Sequence, residues 1–270
     1  MLDRNMITNI RGSGIVQGAV GAEERDRLLK DDLGFRRATR AEYVLIASCF
    51  LPSQVTQDLR AFRNILHHYD VDYSILPREY CCGDLVIRQA IKGRDEDELS
   101  RADDLGREFL ENNLRQIREM GAGKIILFCI SCDSVYNRFR GNIRQEILWY
   151  PTLLARLFRA GKLDIEADYY AGCHYHYKRL CPTLPDLDAS RKIFDRIEGL
   201  RLNPLNHQLC CTRPQQVEAL AASIRSKTVI TECGGCAILL REILKDRGGY
   251  RVVMLPQVVW AAISGVWPPP

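Results

Sequence analysis

Ten of the eleven cysteines in this 270-residue chain fall into two sets of the same order. The first set is Cys49, then the adjacent pair Cys81-Cys82, then Cys129-x-x-Cys132; the second is Cys173, then Cys210-Cys211, then Cys233-x-x-Cys236. Only Cys181 stands outside. A bond between neighbouring cysteines strains local geometry, so the pairs in EYCCGDL and QLCCTRP are not read as structural disulfides. A CxxC alone serves a zinc knuckle, half of an iron–sulfur site or a thioredoxin-like redox pair. Four thiolates per site suit zinc or a cluster. A fifth, in an adjacent pair, is less natural for tetrahedral zinc; a multi-iron cluster can use it, because one thiolate can bridge two irons. The adjacent pair then offers one terminal and one bridging sulfur from a single tight loop. Structural zinc and buried free thiols are the bland alternatives.

The flanking residues fit a buried site. Gly83, Gly172, Gly234 and Gly235 let the backbone approach closely and leave N–H groups unhindered. Such groups hydrogen-bond cluster sulfurs and tune their potential. His174 and His176, beside Cys173, are expected to hydrogen-bond around the ligands rather than to ligate. Cys181, followed by Pro182, reads as a spare buried thiol. Tyr169, Tyr170, Tyr175 and Tyr177 read as packing and cavity walls.

The elements that must position these thiols alternate. EYVLIASC is a short β-rich run ending at Cys49, and a helix follows with Ser53 as its N-cap and Val55, Leu59, Phe62, Ile65 and Leu66 on one face. VDYSIL is a strand with EYCCG in the loop beyond it. A long helix is expected from Asp95 to Met120, then the strand KIILFC, then a helix from the CxxC. ILWYPTLLARLFRAGKL reads as helical over much of its length after Pro151. The second half repeats the plan: strand ADYYAGC, helix DASRKIFDRIEGL, the second pair, helix PQQVEALAASIRS, strand KTVITEC, a helix after the CxxC, and a strand in YRVVMLP. This is an α/β pattern with small, largely parallel sheets flanked by helices, in two similar domains related by a pseudo-twofold. The expected borders are an N-terminal arm at 1–40 with one short helix around Ala22–Asp31, a first domain at 41–164 and a second at 165–270. Cysteines at the carboxyl ends of strands stand where open α/β sheets build sites.

Composition bounds the function. With 46% apolar and 27% charged residues the chain can bury an ordinary core without cross-links, so its cysteines need a chemical reason. The net charge of +4 comes from scattered basic residues, with no dense run interleaved with aromatics, which argues against nucleic acid. No signal peptide and no continuous apolar stretch long enough for a membrane span is seen, so a reducing, cytoplasmic setting is expected. There is no GxGxxG with a suitable acidic residue and no P-loop, so electrons must come from another protein or a small carrier.

Two copies of C…CC…CxxC, with SCFLPSQ, YCCGDL, GAGKIILFCISC, AGCHYHY, TECGGC and LPQVVWAAISG around them, resemble the CCG, or cysteine-rich, domain family over about residues 42–265. The B-type component of heterodisulfide reductase is its best-known member. The resemblance implies two non-cubane 4Fe–4S clusters. The first would be held by Cys49, Cys81, Cys82, Cys129 and Cys132, and the second by Cys173, Cys210, Cys211, Cys233 and Cys236. It places the catalytic role at Cys82, Cys132, Cys211 and Cys236. It implies reduction of a disulfide, or oxidation of thiols, on a small sulfur-containing substrate, with an iron–sulfur electron-transfer subunit and a flavoprotein subunit as partners. Two departures point to an altered second site: the Cys211–Cys233 interval is shorter than the family's, and Thr212 stands where Gly83 follows the first pair. A relay or scaffold subunit without catalysis, and a zinc-stabilised interaction module, are the competing readings.

Overall fold

The computed structural model describes residues 2–16, 20–172 and 174–267, without the side chains of Tyr175 and His176. Eight strands form two four-stranded sheets, β1 (Tyr43–Ile46), β2 (Tyr73–Ile75), β3 (Lys124–Leu127) and β4 (Glu146–Trp149) in one, and β5 (Gly161–Tyr170), β6 (Ile197–Pro204), β7 (Thr228–Thr231) and β8 (Arg251–Met254) in the other. The spatial orders are β2-β1-β3-β4 and β6-β5-β7-β8, and every pairing is parallel. The two halves therefore share one topology. The inner strands VLI, IIL and VIT are short apolar, β-branched runs buried on both faces, which is what helices on each side of a parallel sheet require. Tyr43 pairs with Tyr73 and Lys124, and Thr231 with Met254, so the strands of each sheet end nearly level.

The chain divides into two compact units. One comprises Met1–Gln54, Asp70–Tyr150 and His176–Pro185; the other comprises Val55–Tyr69, Pro151–Tyr175 and Asp186–Pro270. In the first, the long helix runs Glu96–Glu119, close to the expected span. Asp95 caps it by accepting the Glu98 N–H at 3.0 Å, with Glu96, Asp97 and Glu98 complementing the dipole. Its buried stripe of Ala102, Gly106, Phe109, Leu110, Asn113, Leu114 and Ile117 recurs at helical spacing and faces the core. The short helix expected around Ala22–Asp31 is present as Ala22–Arg27 followed by a π-helical turn, Leu28–Asp32. A further helix, Arg4–Ser13, precedes it, capped by Asp3 at Asn5 and Met6.

Three local expectations are corrected. Ser53 is not a helix cap: Pro52 opens a 3-10 turn, Leu51–Ser53, and the helix starts later, at Thr56, behind Val55. The helix expected through Leu200 ends at Phe194, and the residues beyond it form β6, an edge strand. ILWYPTLLARLFRAGKL, expected to be helical over much of its length after Pro151, is helical over Tyr150–Leu157, and the unexpected parts are β4 just before that helix and β5 starting at Gly161.

Candidate metal centre

Each CxxC is built into the start of a helix. Cys129 is the N-cap of the helix Ile130–Arg138, and its carbonyl accepts the Asp133 N–H at 3.0 Å. Cys233 is the N-cap of Gly234–Leu244, and its carbonyl accepts the Ala237 N–H at 2.9 Å. Both follow a central strand, β3 or β7, by two residues. In both units the second cysteine, Cys132 or Cys236, therefore lies in the first helical turn at the positive end of the helix dipole, which favours an anion.

In the first unit the other thiols arrive on neighbouring loops. Cys49 follows β1, and the Cys81-Cys82 pair follows β2. With β1 flanked by β2 on one side and β3 on the other, these loops meet at the point where the strand order reverses, outside the carboxyl ends of the sheet. The sulfurs form a row. Cys81 interacts electrostatically with Cys49 and Cys82, Cys82 with Cys132, and Cys132 with Cys129. Cys49, Cys81, Cys82 and Cys132 are buried, and Cys129 is half-exposed.

The row is electrostatically graded. Hydrogen bonds from Cys132 and Cys81 hold the Cys82 thiol well below its ordinary range against the cost of burial, aided by the Asp84 N–H and the Arg88 charge. Cys81 and Cys132 are pushed up by their neighbouring thiols and by burial. The Gly83 N–H points at Cys81 Sγ from 3.5 Å. Gly83 has φ +82, and an added Cβ would stand 3.0 Å from Phe109, so glycine is required by both conformation and space. Burial raises Asp84 and Asp133, each near a thiol of the row, to about 6 in both cases, although Arg88 pairs with Asp84.

Sequence reasoning missed the side chains that hold these loops. Asn113 is fully buried on the long helix. Its Oδ1 accepts the Tyr80 N–H at 2.8 Å, while its Nδ2 donates to the Tyr80 carbonyl at 2.8 Å and to the Tyr136 hydroxyl at 3.2 Å. One amide therefore clamps the residue before the cysteine pair. An asparagine on the apolar stripe of an amphipathic helix was the available signal. The Tyr177 hydroxyl donates to Asp133 at 2.7 Å and also touches Cys181, which is buried. Tyr177 is thus more than a wall.

In the second unit, Cys211 and Cys236 lie 3.3 Å apart, and Cys236 also contacts Cys233. Cys210 Sγ lies 3.0 Å from the Thr212 hydroxyl, and its N–H donates to Gln216 at 2.8 Å. Cys173 and the His176 side chain lie outside the described residues. His174 is close by: a Cβ placed on Gly172 would stand 3.7 Å from both Cys236 Sγ and His174 Nε2. Burial first, then the neighbouring Cys233, pushes the Glu232 carboxyl well up.

The donor set in the first unit fits a polynuclear iron–sulfur group. It offers five sulfurs, four of them buried, with backbone N–H groups aimed at two. Among the described residues no group of three or more Cys, His, Asp or Glu side chains gathers closely enough to hold a metal ion.

A small parallel sheet with thiols on its carboxyl-end loops defines a cysteine-rich α/β domain. Residues 43–135 match the family model described as CCG, cysteine-rich domain. The chain is also similar to the D-type component of the "Dihydromethanophenazine:CoB–CoM heterodisulfide reductase" from Methanosarcina mazei. They are 22% identical over 88% of this chain and 62% of that protein. The corresponding protein of Methanosarcina barkeri is likewise 22% identical, over 70% of this chain and 47% of that protein. The chain thus spans about half to three fifths of the length of these relatives. Among solved structures, glutamate racemase RacE1 from Bacillus anthracis aligns over 84% of this chain and 80% of that one, at 10% identity and a TM-score of 0.36, a likeness that carries no argument. Among the described residues no helix is long and apolar enough to cross a membrane.

Proposed function

We propose that the chain is the iron–sulfur subunit of a multi-subunit oxidoreductase of the heterodisulfide reductase kind, acting on sulfur. The five thiols brought to neighbouring loops at the switch point of the first sheet carry this reading. Cys49, Cys81, Cys82, Cys129 and Cys132 would hold one 4Fe–4S cluster of non-cubane type, and Cys173, Cys210, Cys211, Cys233 and Cys236 a second. When bound, such a group supplies one-electron transfer at sulfur.

The chain's own residues supply the setting. The lowering of the Cys82 thiol by Cys132 and Cys81 favours the ionised form that binds metal. The Gly83 and Asp84 N–H groups and the helix start at Cys129 stabilise negative charge on the ligand sulfurs. Burial keeps water from four of the five thiols. His174, which like Cys236 lies close to Gly172, and His176 are proposed to hydrogen-bond around the second set. Reduction of a disulfide takes two electrons and two protons and yields two thiols; the reverse, thiol oxidation, is served by the same residues. Partner iron–sulfur and flavoprotein subunits would supply or accept the electrons, and a cytoplasmic setting belongs to the same reading.

One observation favours a second reading, in which the chain relays electrons without catalysis. Thr212 replaces the glycine that follows the first pair, and its hydroxyl engages Cys210 Sγ. The two readings separate in one assay. Anaerobically purified chain, reduced by a viologen dye, is given a small organic disulfide and thiol release is followed. Release above that of the dye alone is the expected result; none, from a chain that retains its iron, would overturn the catalytic reading in favour of the relay.

A further inference from the structure

We propose that the N-terminal segment is a clasp on the first thiol set, with Arg25 as its positioning residue. The inference rests on the reading of Cys49, Cys81 and Cys82 as ligands, and the contacts that carry it lie within one unit. Arg25, on the helix Ala22–Arg27, is buried, with 5% of its surface exposed. Its Nε donates to the carbonyl of Ser48 at 2.9 Å and its Nη2 to Glu79 Oε2 at 2.7 Å. The same carboxylate oxygen accepts the Ala47 N–H at 2.9 Å. One planar fork therefore ties the residue before Cys49 to the residue two before Cys81, joining the loops after β1 and β2. A lysine ammonium lacks that fork.

Backbone strain explains why the first loop needs holding. Ser48 has φ +88, a region costly for any residue with a side chain. In the second unit the residue before Cys173 is Gly172, with φ +96, so the same turn is made there by the residue suited to it. The first unit makes it with serine, and Arg25 and Glu79 grip the peptides on either side. The rest of the segment reaches the pair directly. The Cys81 N–H donates to the Gly14 carbonyl at 2.8 Å, and the Gly14 backbone lies so close that a Cβ would stand 2.8 Å from the Glu79 carbonyl. Arg78 Nη2 donates to the Gly12 carbonyl. Ile10, Ile15 and Val16 share a core with Cys49, Cys81 and Cys82.

The test uses thiol labelling of the iron-free chain, read cysteine by cysteine by mass spectrometry, so that it stands even if the cluster assignment fails. Arg25→Ala is expected to speed labelling of Cys49, Cys81 and Cys82 by about tenfold or more, because breaking a buried pair lowers the cost of local opening. Cys210, Cys211, Cys233 and Cys236 should keep their rates. Arg25→Lys should speed Cys49 as well, with its charge retained. Adding Ser48→Gly to either variant should return Cys49 towards the parent rate, since glycine needs no clamp at that φ. A purely structural ion pair would show no such rescue. Equal rates in parent and variants, a uniform rise at every cysteine, or a selective rise that Ser48→Gly leaves unchanged would overturn the proposal. Iron counted on the reconstituted variants tests the ligand reading separately: a parent chain that takes up no iron sinks that reading alone.

Discussion

Serine at position 82 is expected to remove about half of the chain's iron, the share of one of two four-iron sites. Cys82 lies between Cys81 and Cys132 in the thiol set, and its thiol is held well below the ordinary range by both. The thiolate is the ligand, and a serine hydroxyl does not ionise under the same conditions. Serine also nearly matches cysteine in size, so no large cavity opens and the metal-free fold should persist. Cys181→Ser is the control. That thiol is buried beside the Tyr177 hydroxyl and belongs to neither set, so its replacement should leave iron unchanged. Iron per chain and the circular dichroism of the metal-free protein check both expectations. Unchanged iron in the Cys82 variant would remove the first site from the account.

The second large effect concerns stability. Asp58→Ala is expected to cost about 3–5 kcal/mol, the range for breaking a buried, hydrogen-bonded charge pair. The Asp58 carboxylate is fully buried on the helix Thr56–His68. It accepts Arg241 Nη2 at 2.7 Å, the Met254 N–H at 2.8 Å and Gln257 Nε2 at 2.6 Å. Removing it strands one backbone N–H and one amide at the end of β8 and the start of the helix Leu255–Ser264, and takes the carboxylate from Arg241, whose Nε keeps the Val252 carbonyl. Asp58→Asn keeps an acceptor and loses the charge, so it should cost less, about 1–3 kcal/mol. Urea unfolding of the metal-free chain measures both. A loss under about 1 kcal/mol for alanine would show that Asp58 is not the hub its contacts describe.

The contrast between these two residues shows what the sequence discloses. Cys82 stands out in the sequence because the proposed ligand chemistry would demand its type, its neighbour and its spacing, and because β1, β2 and β3 are short apolar runs that place their following loops on one edge. Asp58 is not legible. The face of Val55, Leu59, Phe62, Ile65 and Leu66 identifies its helix, yet nothing local says that a helix lying between β1 and β2 in sequence groups with β5 to β8 in space. That destination is fixed by partners about 180–200 residues away, at a separation where local pattern has no reach.

The two missed strands fail for a different reason. β4 and β6 are edge strands, half-exposed along much of their length, so neither shows the buried run of a central parallel strand. β4 passes directly into the helix Tyr150–Leu157, so the apolar pattern continues across the boundary. β6 carries Glu198, Gly199 and Arg201, residues that weaken a strand reading; Gly199 has φ +85, and its partner β5 shifts register between Lys162 and Ile165. The N-terminal segment reads as weakly patterned because much of its grip on the fold is polar and long-range, through Arg25, Gly12 and Gly14.

The most direct test of the central claim is the iron, zinc and acid-labile sulfide content of the anaerobically purified chain, with an electron paramagnetic resonance spectrum after mild oxidation. The account predicts about eight irons and a matching amount of sulfide per chain, with a spectrum unlike that of ordinary cubane clusters. Zinc without iron or sulfide would contradict it and leave a structural module in place of a redox subunit.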